Sequence, residues 1–490
     1  MDLEATRKAL VAVDLGAQSC RVSLLRWKQG EPEIKVIHRF SNGPLATAGE
    51  LRWDVEGIFR GIETGLRLCA AEASEGIASI GMDGWGVDYV RLNEKGEAVA
   101  NPFCYRDART ERAEKEVHAI LPPTPLYSLT GIQILRINTL YQLYADKTAG
   151  ADPAMPWLNV PEFMTYRLGG KRVSEYTNAT HTGLVRLGTH EWCEEIFQVL
   201  GLDVAVAPNI VPSGSVVGTI SGDLAELSAL RNAKLIVPAC HDTASAIAAI
   251  PAEGDDWAFI SSGTWSLVGT VLDAPCATDD ARALNFTNLG GVGGKICFLK
   301  NVNGMWLLQQ AMEEWEQRGS KWSLQELLSR CASLPPPDVL IDVDDPELML
   351  PGNIMGKINV QRQHMGKQKF SMDDSAIPFI ANTIFHSLAA RYAEVLSSIS
   401  RTTGKKLKRL FIVGGGSQNA FLNRLTAERT GLEIFLGSTE STTIGNFAIQ
   451  LAVLEGDWNP SSGVSATSVA KWAEEMNRRS LVLSTDRTTN

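Results

Sequence analysis

Two rhythms of apolar residues run through the chain. Short unbroken runs, such as Leu10–Val13, Val22–Leu25, Ile77–Met82 and Lys234–Ala239, predict strands buried in a mixed sheet. Elsewhere the apolar residues return every third or fourth position. Ile58, Ile62, Leu66, Cys69 and Ala73 share one helical face, and Ile377, Ile380, Ile384, Leu388, Tyr392, Val395 and Ile399 form a longer stripe. Alternation of the two rhythms predicts an α/β chain. In Leu10–Trp27 two apolar runs flank Asp-Leu-Gly-Ala-Gln-Ser-Cys, the pattern of a β-hairpin with a loop long enough to hold a ligand. Trp257–Leu272 repeats that pattern around Ser-Ser-Gly-Thr, which suggests two related domains. A strand-turn-helix unit follows at Arg409–Arg424, where RLFIV runs into Gly414–Gly416. Pro335–Pro337 and Gly352–Gly366 read as surface excursions. The polar, turn-prone stretch near residues 245–255 suggests a boundary between domains at 1–248 and 249–490.

Composition narrows the classes. A chain of 490 residues exceeds what one hydrophobic core serves, so two or three domains are expected. With 44% hydrophobic and 21% charged residues it is not a disordered chain. Lys+Arg 46 against Asp+Glu 56 gives a net charge of −10, which argues against general adhesion to nucleic acid or to an anionic membrane. Local backbone amides still bind phosphate in an acidic protein, so ATP stays open. The uncharged stretch Trp257–Leu272 is too interrupted by Ser, Gly and Thr for a membrane span, and the apolar patch after MDLEATRKAL is too short for a signal peptide. Eight scattered cysteines with no CxxC pair predict buried free thiols, a reducing compartment and a cytoplasmic setting.

Several short segments could carry chemistry, each with a plainer alternative. Asp14 ends an apolar strand, where a carboxylate needs hydrogen bonds, water or a metal. Beside Arg21 it either holds Mg²⁺ through water or caps its own hairpin. Ser261–Thr264 offers hydroxyls and backbone donors to a phosphate, or is only a turn. Gly414–Gly416 suits a nucleotide or simply a tight strand-to-helix connection; it is not a GxGxxG fingerprint, and GxxxxGK[ST] occurs nowhere. Asp242, in Cys240-His241-Asp242-Thr243, either caps the helix that starts there or presents a catalytic carboxylate at the carboxyl end of a strand. Asp83-Gly84-Trp85-Gly86-Val87-Asp88 is either a sugar-facing loop or a tight turn over a buried Trp. Cys104–Arg109 is either part of a site or a solvated salt-bridge loop.

None of these segments alone decides the function; their order does. The DLG hairpin, GWGVDYV (Gly84–Val90), YRDART (Tyr105–Thr110), EYTNATHTGLV (Glu175–Val185), HDTASAIAA (His241–Ala249), FISSGTWSLVG (Phe259–Gly269), FTNLGG (Phe286–Gly291), LKNVNGMWLLQ (Leu299–Gln309) and the GGGSQN turn resemble the FGGY carbohydrate kinases. That family belongs to the actin-like ATPase superfamily. The resemblance implies two duplicated actin-like (ribonuclease H-like) α/β domains, a mixed sheet in each, with ATP and sugar in the cleft between them. The N-terminal domain would carry the sugar site and first phosphate hairpin, the C-terminal one the nucleotide site. The implied reaction is transfer of the γ-phosphoryl of MgATP to the 1-hydroxyl of L-rhamnulose, with L-fuculose, xylulose or glycerol as alternative acceptors.

Residues carry over one by one. Asp242 matches the catalytic base. His241, Asp242, Thr243, Gly86 and Asn301 match sugar contacts. Ala17, Gln18, Ser19, Cys20 and Arg21 match the first phosphate loop, Thr264 a second phosphate position, and Gln309 and Gly415 positions toward the rest of the nucleotide. Asp14 matches the acid that orients Mg²⁺ through water. Gln18 and Cys20 depart from the small residues usual in that loop, and Cys20 stands where a flexible glycine is common. The helix after the GGG turn lacks the paired cysteines of some relatives, so no disulfide is expected there. Partners are limited to the sugar and MgATP, and the chain is expected to be a monomer or weak homodimer. A chaperone-like actin-fold ATPase leaves Trp85, Asp88 and Tyr105–Arg109 unexplained, and a catalytically dead sensor sits badly with the retained Asp242.

Overall fold

The computed structural model describes residues 7–47, 49–350 and 352–481. The chain forms two compact units that are not simple sequence halves. The first runs to Ala252 and takes in Val271–Phe298 and the chain from Glu440; the second holds Glu253–Thr270 and Leu299–Thr439.

The first unit is built on a six-stranded mixed sheet. Its strands are β1 (Ala9–Leu15), β2 (Ser19–Lys28), β3 (Glu31–Ser41), β4 (Ile77–Gly84), β5 (Ser215–Thr219) and β6 (Lys234–Val237), in the order β5-β6-β4-β1-β2-β3. β6, β4 and β1 run parallel, so their carboxyl ends line up. The β1–β2 hairpin is antiparallel, with Asp14 opposite Arg21. Alternation along β1 explains the two covered faces: Ala9, Val11, Val13 and Leu15 point to one core, Leu10 and Ala12 to another. The first core takes the apolar stripe of helix α1 (Val55–Glu72). The second takes Ala244 of helix α2 (Asp242–Ala248) and Phe447, Ala448 and Ile449 of a later helix, Ser441–Leu454.

In the second unit, β7 (Trp257–Ser262) and β8 (Trp265–Leu272) form the second hairpin. With β9 (Ile296–Asn303), β10 (Arg409–Val413) and β11 (Glu433–Leu436) they lie in the order β9-β8-β7-β10-β11. β7, β10 and β11 are parallel, so this sheet is mixed as well. The helices α3 (Trp306–Gln317), α4 (Ile377–Thr403) and α5 (Ala420–Thr430) belong to this unit, and the Ile377–Ile399 stripe is buried. We label Ser441–Leu454 α6. Among the described residues, no helix is long and apolar enough to cross a membrane. None of the eight cysteines is in a disulfide, and all but Cys276 are buried.

Two local readings change. Gly352–Gly366 is not a surface excursion: Ile354–His364 is a helix that buries Ile354, Met355, Ile358 and Arg362. Its apolar residues lie at helical spacing, and Asn353 enters it in the left-handed region at φ 53°. The Cys104–Arg109 segment is not a solvated loop either. Cys104, Tyr105 and Asp107 are buried, and Arg109 pairs with Asp146 while its guanidinium lies over the Phe103 ring.

Candidate active site

Three parallel strands of the first sheet lead to an acid at their carboxyl ends. Asp14 lies beside Asp83 in the β1–β4 register, and the bridge from Gly84 to His241 brings in the turn that carries Asp242. Open α/β sheets bind ligands at this edge. Burial is the main force on all three carboxyls. It lifts Asp14 to about 6 against the pull of Arg21, with Asp242 and Glu440 pushing the same way. It raises Asp83 well above the carboxylate range, with Asp14 and Asp242 adding to the effect. Asp242 is lifted to about 6, although Thr243 opposes this by donating its amide (2.5 Å) and hydroxyl (3.2 Å) to Oδ1.

One guanidinium serves this cluster. Arg21 donates to Asp14 Oδ2 at 2.5 Å and lies 3.3 Å from Glu440, which also faces Arg39 at 3.5 Å. Helix α6 fixes the neighbouring acid: Asn446 donates to Asp83 Oδ2 (2.5 Å), and Gln450 donates to Asn446 (2.7 Å) and to the Val11 carbonyl (3.0 Å). Acids outnumber bases here, which fits a divalent cation. Among the described residues, no three His, Cys, Asp or Glu side chains are placed to hold a metal directly.

Asp242 is the first residue of α2, and His241 takes the cap position with no side-chain cap bond. Asp242 is thus not the N-cap residue itself; its carboxylate accepts the amide of the next residue, Thr243. His241 Nε2 is 3.6 Å from Asp242 Oδ1, and its ring packs on His181 with centroids 4.4 Å apart. Burial drives His241 down to about 4 and His181 well below its ordinary value, so both rings are neutral near pH 7. The Nδ1 atoms of both rings, Asn178 Oδ1 and Asp83 Oδ1 are buried without a hydrogen-bond partner. A Cβ on Gly86 would overlap His181 Nδ1, so this glycine is required by close approach. Unsatisfied buried groups of this kind are costly unless a ligand or water completes them.

The rest of that loop is structural. Trp85 packs on Trp53 at 4.5 Å, and both indoles donate to Asp88 Oδ2. Tyr105 N and Gln142 Nε2 complete the coordination of Asp88. For these two residues the buried-turn alternative holds.

The first hairpin turn is short. Ala17 and Ser19 are half-buried and Gln18 is exposed, while Asn42 ties down the Gly16 and Gln18 carbonyls. Cys20 already lies in β2, paired with Leu15, and its thiol is buried in the core. On its other side Cys20 pairs with Phe40 of β3, so its backbone is held within the sheet. Within the second unit, the β7–β8 turn meets two other elements. Met305 N donates to the Gly263 carbonyl and Trp306 N to that of Thr264, which anchors the start of α3 one turn before Gln309. Gln309 has a buried side-chain oxygen without a partner. Gly414, at φ +80°, and Gly416 fit tightly against Ser262, whereas a Cβ on exposed Gly415 meets nothing within 4 Å. Thr264, Gln309 and Gly415 thus gather at one end of this sheet. Asn301 lies in β9, half-buried.

Residues 9–249 match the N-terminal domain of the FGGY family of carbohydrate kinases, and residues 258–454 match its C-terminal domain. The chain belongs to the FGGY family. It is 36% identical to a rhamnulokinase of Bacteroides thetaiotaomicron over 90% of this chain and 89% of that one. A rhamnulokinase of Enterococcus faecalis is 35% identical over 91% and 90%. Solved structures share the fold at low identity. A ligand-bound xylulose kinase from Lactobacillus acidophilus aligns with TM-score 0.73 at 16% identity, covering 99% of this chain and 100% of the other. A Plasmodium falciparum glycerol kinase with ADP aligns with TM-score 0.72 at 14%, covering 95% and 92%. The chain is therefore a two-domain α/β sugar kinase, as its ordered motifs implied.

Glu440 and Asn446 had no place in the sequence reading, and His181 entered only inside the EYTNATHTGLV string, with no role of its own. Asp83 had a place, but as a sugar-facing acid. It ends an apolar strand just as Asp14 does, a signal that was available. Asn446 and Gln450 also stand four residues apart within the otherwise apolar stretch Ile444–Leu454 of that helix.

Proposed function

We propose that the chain transfers the γ-phosphoryl of MgATP to the 1-hydroxyl of L-rhamnulose, acting as a rhamnulokinase. The observation that carries this choice is the similarity to two rhamnulokinases along nine-tenths of the chain. The site chemistry supports phosphoryl transfer. In this reading Asp242, ionised above about pH 6, accepts the proton of the attacking hydroxyl. The sugar oxygen attacks phosphorus, and ADP leaves with the electron pair of the broken bond. Gly86, His241 and Thr243, with Asn301, would contact the sugar. The unsatisfied nitrogens and oxygens around Gly86 suit a polyhydroxylated ligand. Neutral His241 can donate to or accept from a hydroxyl without offering Asp242 a cation.

Residues Ala17–Arg21 and Thr264 would meet the phosphates, and Gln309 and Gly415 the remainder of the nucleotide. Asp14 would hold Mg²⁺ through water; the ion's part is to neutralise phosphate charge. A sugar-binding domain at 1–248 that also carries the first phosphate hairpin, a nucleotide-binding domain at 249–490 and action in the reducing cytoplasm complete the proposal.

Steady-state phosphorylation of a panel of L-rhamnulose, L-fuculose, xylulose and glycerol with MgATP tests the acceptor. L-rhamnulose should give the highest kcat/KM; a clear preference for another acceptor overturns the assignment. The glycine run gives a second test. Gly416→Ala should lower Tm, because the new Cβ overlaps the Ser262 hydroxyl. Gly415→Ala should change stability by no more than the roughly ±0.5 kcal/mol of a neutral surface change while raising KM for ATP. An unchanged KM removes Gly415 from the nucleotide site.

A further inference from the structure

We infer that Glu175 and Thr177 are positioning residues for Asp242: together they hold the two backbone amides immediately before it. The inference rests on the proposed role of Asp242 and adds residues which that role does not name. The connection from β6 to α2 passes through Cys240 and His241 beyond the end of β6, where an isolated bridge pairs His241 with Gly84, and α2 has no side-chain cap. Both amides find partners on the segment that opens the short helix Tyr176–His181. Cys240 N donates to Glu175 Oε2 at 2.9 Å, and His241 N donates to Thr177 Oγ1 at 3.2 Å. The Thr177 hydroxyl in turn donates to the same Glu175 oxygen at 2.5 Å. One hydroxyl thus links the carboxylate to the second amide.

Glu175 is fully buried, an expensive place for a carboxylate. Its donors repay that cost: besides Cys240 N and the Thr177 hydroxyl, it accepts from Thr177 N (3.0 Å) and from Ser213 Oγ at 2.6 Å. Glu162 Oε1 accepts from Glu175 N at 3.1 Å and backs the arrangement. On the opposite side Gly84 N donates to the Cys240 carbonyl at 2.9 Å. At the far end of the same short helix, His181 packs its ring on that of His241. The turn is therefore held at its amides, its carbonyl and its one ring, all just ahead of Asp242. A reacting group must be held to within a fraction of an ångström, and a displacement of about 1 Å costs on the order of 10²-fold in rate.

The test compares Thr177→Val, which keeps shape and removes the hydroxyl, with Thr177→Ser, which restores it. Thr177→Val should lower kcat about tenfold or more while KM for sugar and ATP stays within about threefold, and Thr177→Ser should recover most of the loss. On an Asp242→Asn background Thr177→Val should cost nothing further, because the group it positions is gone. Glu175→Gln should lower kcat in the same way. Should that variant misfold, the Thr177 pair and the double variant still decide. Hydrogen exchange gives a readout independent of turnover: the Cys240 and His241 amides should exchange faster in Thr177→Val, with α1 and β1 unchanged. A kcat that does not change, or a loss that adds fully to that of Asp242→Asn, overturns the inference. Unaltered exchange at the two amides overturns the structural half by itself. If the wild-type chain phosphorylates no sugar, the proposed function falls and the catalytic half of this inference with it; amide exchange still judges the clamp.

Discussion

Asp242→Asn lowers kcat by about 10²–10⁴-fold, the usual worth of general-base help, and leaves ATP binding near its wild-type value. The asparagine keeps an oxygen for the Thr243 amide and hydroxyl, so the turn stays in place while the proton acceptor is lost. The pH profile adds a second readout. A base must be ionised, so wild-type kcat should fall as pH drops through about 6. His241, held near 4 by burial, cannot produce that limb. Asp14 also titrates near 6, which makes the variant decisive: residual turnover of Asp242→Asn should lack the acid limb. A limb that persists assigns it to Asp14. The sign for stability is opposite. The folded state raises the Asp242 carboxyl from 3.8, so folding favours its protonated form, and the group's contribution to stability is lost as pH rises through about 6. Urea unfolding across that window should show a weaker pH dependence in the variant. Near-normal kcat refutes the general-base role.

Gly445→Ala disables the enzyme from outside the cluster. Helices α2 and α6 pack together, and a Cβ on Gly445 would overlap the backbone carbonyl oxygen of Ser245, one turn after Asp242. A backbone atom cannot rotate aside as a side chain can, so α2 must move away from α6. Overpacking of this sort costs roughly 1–3 kcal/mol. The displacement also carries Asp242 with it, and turnover should fall on the order of 10²-fold. Gly43→Ala is the control, since its Cβ meets nothing within 4 Å. Thermal unfolding and steady-state kinetics of the two variants check this. Equal Tm and kcat in Gly445→Ala and Gly43→Ala would show that the helix contact yields without consequence.

Much of this arrangement could be read along the chain, because the strongest local signals coincide with the site. The hairpins at Leu10–Trp27 and Trp257–Leu272 stand out since apolar runs flank small turn residues, and both form as antiparallel pairs. Helix α1 shows in the spacing of Ile58, Ile62, Leu66 and Cys69. Asp242 is visible as an acid following an apolar strand. What stayed hidden depends on tertiary placement. Glu440 reaches Arg21 because α6 packs against the first sheet, and nothing near Glu440 in sequence announces that partner. The neutral state of His181 follows from burial beside His241, which periodicity does not reveal. Gly352–Gly366 misleads in the other direction: its glycines suggest a loop, while Ile354, Met355 and Ile358 give the helix a buried side.

Eight cysteines outside any disulfide give the molecule chemical reporters that need no engineering. Burial pushes their thiols upward, so few are thiolates near neutral pH and a labelling reagent finds poor nucleophiles. In the native state such a reagent meets Cys276 first, the one cysteine that is not buried. Cys20 and Cys69 then time the opening of the core between the first sheet and α1, and Cys331 times the second unit. The order in which these thiols become labelled is a map of local opening, drawn by the wild-type chain itself.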